Sequence, residues 1–152
     1  MVALKISDTK YIALLVLLLT ALESTGGELK PFSSDGCSAF PDGTIGQSEL
    51  WLKCCTEHDL SYWRGGTYKN RLKADMQLES CVREIGEPEI ALLMLAGVRV
   101  GGTPFLPTAF RWGYGWSYPR LYGPLTDKEL GQVKNLTSEK SRDLKVQPLP
   151  TF

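Results

Sequence analysis

The chain has 152 residues, with 17 Lys+Arg against 17 Asp+Glu and a formal net charge of zero. That length suits one domain, and 43% hydrophobic with 10% aromatic residues excludes general disorder. Without a basic excess there is no electrostatic case for a nucleic-acid binder, and no nucleic-acid partner is expected.

At the beginning, Tyr11 to Leu22 form an apolar run behind Lys5 and Lys10, followed by the small residues Ser24, Thr25, Gly26 and Gly27. This order describes a secretory signal peptide over residues 1–24, cleaved at 24–27. The run is shorter than the roughly 20 residues of a membrane-spanning helix; a retained N-terminal membrane anchor is the alternative. The chain is therefore expected to be secreted or extracytoplasmic, periplasmic if bacterial. In an oxidising compartment the even set Cys37, Cys54, Cys55 and Cys81 suggests two disulfides. Cys54 and Cys55 are adjacent in a helical pattern, so their side chains diverge by about 100° and do not suit a mutual bond. One must reach Cys37 and the other Cys81, which leaves two pairings.

The turn formers Asp35-Gly36, Pro41-Asp42-Gly43 and Gly46 make Pro31 to Gly46 a loop. A helix is expected from Ser48 to Trp63, because Trp51, Cys54, Cys55, His58 and Tyr62 share one face; Gly65-Gly66 stops it. A second helix is expected from Arg71 to Ile85, with Asn70 as N-cap and Gly86 as its stop. Its inner stripe holds Ala74, Asp75, Leu78, Cys81, Val82 and Ile85. A third spans Glu89 to Val100. Phe110, Trp112, Tyr114, Trp116 and Tyr118 alternate with smaller or polar residues, a period of two that predicts an extended segment. Thr126 and Glu129 fit a capping box, so a short helix is expected in the charged C-terminal tail, 126–152, beyond a domain of 31–125.

The single histidine, His58, is the one candidate for a general base of the usual kind. A lone histidine is ordinarily a core residue with a satisfied hydrogen bond, but three features point elsewhere. Asp59 follows it directly. Asp75 lies on the inner stripe of the second helix, and a buried carboxylate needs a partner; the ring N–H of His58 is the natural one. Asp35 and Asp42 flank Cys37 in the loop, and a Cys37–Cys55 bond would bring that loop to Asp59. Carboxylates and loop carbonyls are the hard oxygen ligands that calcium takes. A cation there would act as a Lewis acid, which points to a metal-assisted hydrolase.

The segment Cys54 to Tyr62, C-C-T-E-H-D-L-S-Y, resembles the active-site helix of the secreted phospholipases A2, with their CCxxHDxxY signature. Arg71 to Cys81, R-L-K-A-D-M-Q-L-E-S-C, resembles their second long helix. Asp35 to Gly43, D-G-C-S-A-F-P-D-G, departs from the glycine-rich calcium loop of the venom and pancreatic enzymes and is more similar to the D-x-C loop of the bacterial and fungal members. The resemblance covers Ser34 to Gly86. It implies a mainly α, phospholipase A2-like fold: two disulfide-linked antiparallel helices behind a calcium-binding loop, paired Cys37–Cys55 and Cys54–Cys81. It further implies calcium-dependent hydrolysis of the sn-2 ester of glycerophospholipids. His58 would activate water, Asp75 would orient it, and Tyr62 would bond that pair. Asp35, Gly36 (through its carbonyl) and Asp59 would ligate Ca2+, with Asp42 as a substitute ligand.

Other features carry two readings each. The aromatic segment would either meet a lipid interface or, preferred here, pack over the helices. Ile90 to Val98 would line an acyl-chain slot or belong to the core. Asn135-Leu136-Thr137 is a glycosylation sequon. Two other functions compete: a non-catalytic, toxin-like lipid- or protein-binding protein on the same scaffold, and a zinc module using Cys37, Cys55, His58 and Cys81. The expected partner is a phospholipid or membrane-surface substrate, met by a monomer.

Overall fold

Apolar and small residues on one face of each helix fix the arrangement of the first three. The computed structural model describes residues 27–146, with side chains to residue 138; the expected signal segment, 1–24, lies outside the described residues. Four helices follow one another: α1 (Leu52–Arg64), α2 (Tyr68–Glu84), α3 (Pro88–Gly101) and α4 (Asp127–Val146). Among the described residues there is no strand, and no helix is long and apolar enough to cross a membrane.

Helices α1 and α2 are antiparallel. The Cys54–Cys81 bond joins the start of one to the end of the other, and Arg71 meets Tyr62 at the opposite end. Cys37–Cys55 ties the preceding loop to the next position on α1. Adjacent cysteines thus crosslink α1 in two directions, each bond typically contributing about 2–4 kcal/mol. Trp51, Cys54, Cys55, Leu78, Val82, Ala91 and Met94 form the core at this end. Helix α3 packs on α2; its Ala91 and Met94 are buried, while Leu92 and Leu93 are exposed. The apolar stretch therefore divides between core and surface.

Two boundaries differ from expectation for local reasons. Ser48 to Trp51 form a turn rather than the first turn of α1, and Trp51 anchors the loop there by donating its backbone N–H to the Asp42 carbonyl. Helix α2 begins at Tyr68 because Thr67, not Asn70, is the N-cap. Thr67 Oγ1 accepts from the Asn70 backbone N–H while the Asn70 side chain accepts from the Thr67 N–H. Asn70 thus completes a capping box from inside the helix.

The aromatic segment is a run of turns, not a strand. Its glycines and indoles serve the C-terminus of α1, where helix carbonyls lack partners. Gly113 N–H donates to Tyr62 O at 2.7 Å and Gly115 N–H to Trp63 O at 3.2 Å. Trp116 Nε1 donates to Arg64 O and Trp112 Nε1 to Gly66 O. Gly115 is required by space: a Cβ there would stand 2.4 Å from Trp63 Cδ1. Trp112 and Trp116 are buried, Phe110 and Tyr118 exposed, so the packing role holds for the two tryptophans.

Helix α4 starts at the expected capping box, where Glu129 accepts from the Thr126 backbone N–H at 2.8 Å, and runs for 20 residues. Glu129 is buried and faces Arg120. Val133 and Leu136 pack on the Leu29, Trp63 and Trp116 cluster, and Gln132 bonds Leu29 N–H. The start of the charged tail is therefore part of the packed unit.

Candidate active site

His58 and Tyr62 are one turn apart on α1 and face Asp75 on α2. The Asp75 carboxylate is fully buried. His58 Nε2 lies 3.1 Å from its Oδ1, and the Tyr62 hydroxyl donates to the same oxygen at 2.7 Å. An ionised carboxylate only accepts, so Nε2 carries the proton and the lone pair of the neutral ring sits at Nδ1. That nitrogen has no protein partner among the described residues, and His58 lines a cavity of about 290 Å³. A stripe of α3 lines the same cavity: Leu93, Met94, Gly97, Val98 and Gly101. Gly102 lets the chain pass Tyr62, since a Cβ there would fall 2.4 Å from its ring. Burial and the neighbouring Asp75 push the Tyr62 hydroxyl well above the usual tyrosine range, so it remains a donor.

Two arginines complete the surroundings of Asp75. Arg71, one turn before it and buried, donates Nε–H to Tyr62 OH at 3.0 Å, one terminal nitrogen to Tyr122 OH, and the other to the carbonyls of Val98 and Arg99 at the end of α3. These bonds join α1, α2, α3 and the segment holding Tyr122. Arg99 Nε approaches Asp75 Oδ2 to 2.7 Å, but its N–H is not aimed at that oxygen, so the contact is an ion pair without a hydrogen bond.

On the other side of His58 the loop meets Asp59. Ser34 Oγ donates to Asp59 Oδ2 at 2.6 Å and accepts from the Gly36 N–H. Burial pushes the Asp59 carboxyl up to about 6, with the Asp35 and Asp42 carboxylates adding to the rise and the Ser34 bond and His58 opposing it. Asp42 Oδ1 accepts from Cys37 N–H at 2.8 Å, so Asp42 shapes the loop. Its carboxylate also fills the space a Cβ on Gly36 would need, and Gly36 sits at φ +79°. Asp35 Oδ1 accepts from Ser38 Oγ. The donor set of Asp59, Asp35 and loop carbonyls suits a hard cation, and like charges gathered at a partly buried carboxylate are what such a cation relieves. Among the described residues no three His, Cys, Asp or Glu side chains converge as a metal cluster, so the fit rests on two carboxylates and backbone oxygen.

No family model, curated protein or solved structure matches the chain.

The geometry brings together His58, Asp75 and Tyr62 on one side; on the other, Ser34 links Asp59 to the Gly36 N–H, with the Asp35 carboxylate an electrostatic neighbour of Asp59. No cysteine is free, which removes the thiolates that a zinc module requires. Sequence reasoning passed over Ser34, Arg71 and Arg99. Arg71 had a visible signal, four residues before Asp75 on the same helix face. Ser34, by contrast, is one serine among loop residues.

Proposed function

We propose that this chain is a secreted, calcium-dependent esterase of the phospholipase A2 type, releasing the sn-2 fatty acid of a glycerophospholipid. The observation that carries the reading is the His58 ring. Its Nε2 is held by a buried carboxylate, and the ring, with Nδ1 unbonded to protein, lines an apolar cavity of about 290 Å³. An acyl chain suits the apolar α3 wall, whose exposed Leu93 it would cover. His58 Nδ1 takes a proton from that water as it attacks the ester carbonyl, while Asp75 stabilises the imidazolium that forms. The same nitrogen then returns the proton to the leaving alkoxide, so no covalent enzyme intermediate is needed. Calcium, held by Asp59, Asp35 and the Gly36 carbonyl, would supply positive charge to the developing oxyanion and the substrate phosphate. Two disulfides and the N-terminal apolar run support export, and a monomer suffices because one chain carries every residue named.

The test is fatty-acid release from a phospholipid bearing different acyl chains at its two ester positions, with calcium and with chelator. The expected result is calcium-dependent release from the second position, abolished in His58→Gln. No release with any head group, from folded and disulfide-bonded protein, would sink the enzyme reading. The alternative of a non-catalytic lipid- or protein-binding protein would then stand, which the sparse set of carboxylates around Asp59 favours.

A further inference from the structure

We infer that Arg99 is a positioning residue for the candidate base, acting through Asp75. This inference rests on the hydrolase reading for its kinetic consequence but not for its structural one. The two oxygens of Asp75 have different surroundings. Oδ1 receives both donors from α1, the His58 Nε2–H at 3.1 Å and the Tyr62 hydroxyl at 2.7 Å. Oδ2 is buried and receives no hydrogen bond; what faces it is positive charge, Arg99 Nε at 2.7 Å and Arg71 Nε at 3.9 Å. Arg71 is held away by its bonds to Tyr62 OH, Tyr122 OH and two α3 carbonyls. Arg99 is therefore the near counter-charge, and it comes from a third helix.

A carboxylate buried without a close cation is costly to keep ionised. With Arg99 removed, Oδ2 loses its near cation and the carboxylate is drawn toward Arg71. That movement turns Oδ1 away from the Nε2–H of His58. Arg99 also links Asp75 to the apolar wall, since the neighbouring Val98 and Gly97 line the cavity. The acid behind the ring and the surface in front of it are thereby set by the same helix.

The single histidine gives a direct readout, because a 15N spectrum of histidine-labelled protein reports one ring. At a pH where the ring is neutral, the wild type is expected to show the Nε2–H tautomer. Arg99→Gln is expected to show a mixture, and Arg99→Lys, which keeps the cation, to recover most of the wild-type form. If the wild type hydrolyses phospholipid, kcat should fall about tenfold or more in Arg99→Gln with KM within about twofold. Arg99→Lys should restore part of it. Thermal unfolding of both variants separates a folding defect from a positioning one. An unchanged tautomer in a folded Arg99→Gln protein would overturn the inference. A shifted tautomer in a chain that hydrolyses nothing would support the positioning role while removing the hydrolase reading, so the two failures remain distinct.

Discussion

The Tyr62 hydroxyl accepts from Arg71 and donates to Asp75, so Tyr62→Phe leaves a buried guanidinium N–H without its acceptor. Such a loss costs about 1–3 kcal/mol, and urea unfolding of the variant is expected to show it. Asp59 gives a pH-dependent counterpart. Its carboxyl rises from 3.8 to about 6 in the folded chain, so the folded state binds that proton more tightly. Its stabilising contribution is complete below the lower value and is lost as pH rises through the upper one. In chelator, unfolding midpoints taken between pH 4 and 7 should therefore decline more steeply for wild type than for Asp59→Asn. Calcium added at pH 7 should raise the wild-type midpoint and leave the variant unmoved. At this scale His58, Asp75 and Tyr62 were legible, because helical spacing put the first and third on one face and Asp75 among residues that want burial. Arg99 was not. It meets Asp75 only through the packing of α2 on α3, and no local pattern encodes that contact.

Gly115 illustrates how an element is misread. Alternation of aromatic and small residues is the signature of a half-buried strand, yet Gly113 and Gly115 alternate because their N–H groups must reach consecutive carbonyls at the end of α1. Tertiary demand produced a period of two without a sheet. A methyl group at Gly115 would press on Trp63 and on Leu29, so Gly115→Ala should destabilise by about 1–3 kcal/mol, measured by denaturant unfolding. The helices themselves were legible to within a turn. The exceptions lay at termini, where Asn70 reads as an N-cap and Ser48 as a first residue until Thr67 and Trp51 are seen to take the capping and anchoring roles. The role of α4 was not legible, because its early apolar positions pack on Trp63 and Trp116, which are remote in sequence.

Across the whole molecule, the three-helix core depends on crosslinks near one end of α1 and on the arginine and indole bonds at the other. Replacing Cys54 and Cys81 together by alanine should cost about 2–4 kcal/mol in equilibrium unfolding, with Cys37–Cys55 still holding the loop against Asp59. Because Cys81 is the last cysteine, the two disulfides also divide the chain into two covalent territories. A protease cut at the exposed Ile85–Gly86 link would split the denatured molecule into two fragments even without reductant. One would carry His58, Asp59 and Asp75 within the cystine-linked piece, the other Arg99 and the apolar wall. A cut at Gly65–Gly66 would leave the fragments tethered through Cys54–Cys81, migrating apart only after the disulfide is reduced. The residues proposed for chemistry are thus bound into one covalent unit. The helix that lines their cavity is held to it by packing, hydrogen bonds, the Arg99–Asp75 ion pair and the peptide chain alone.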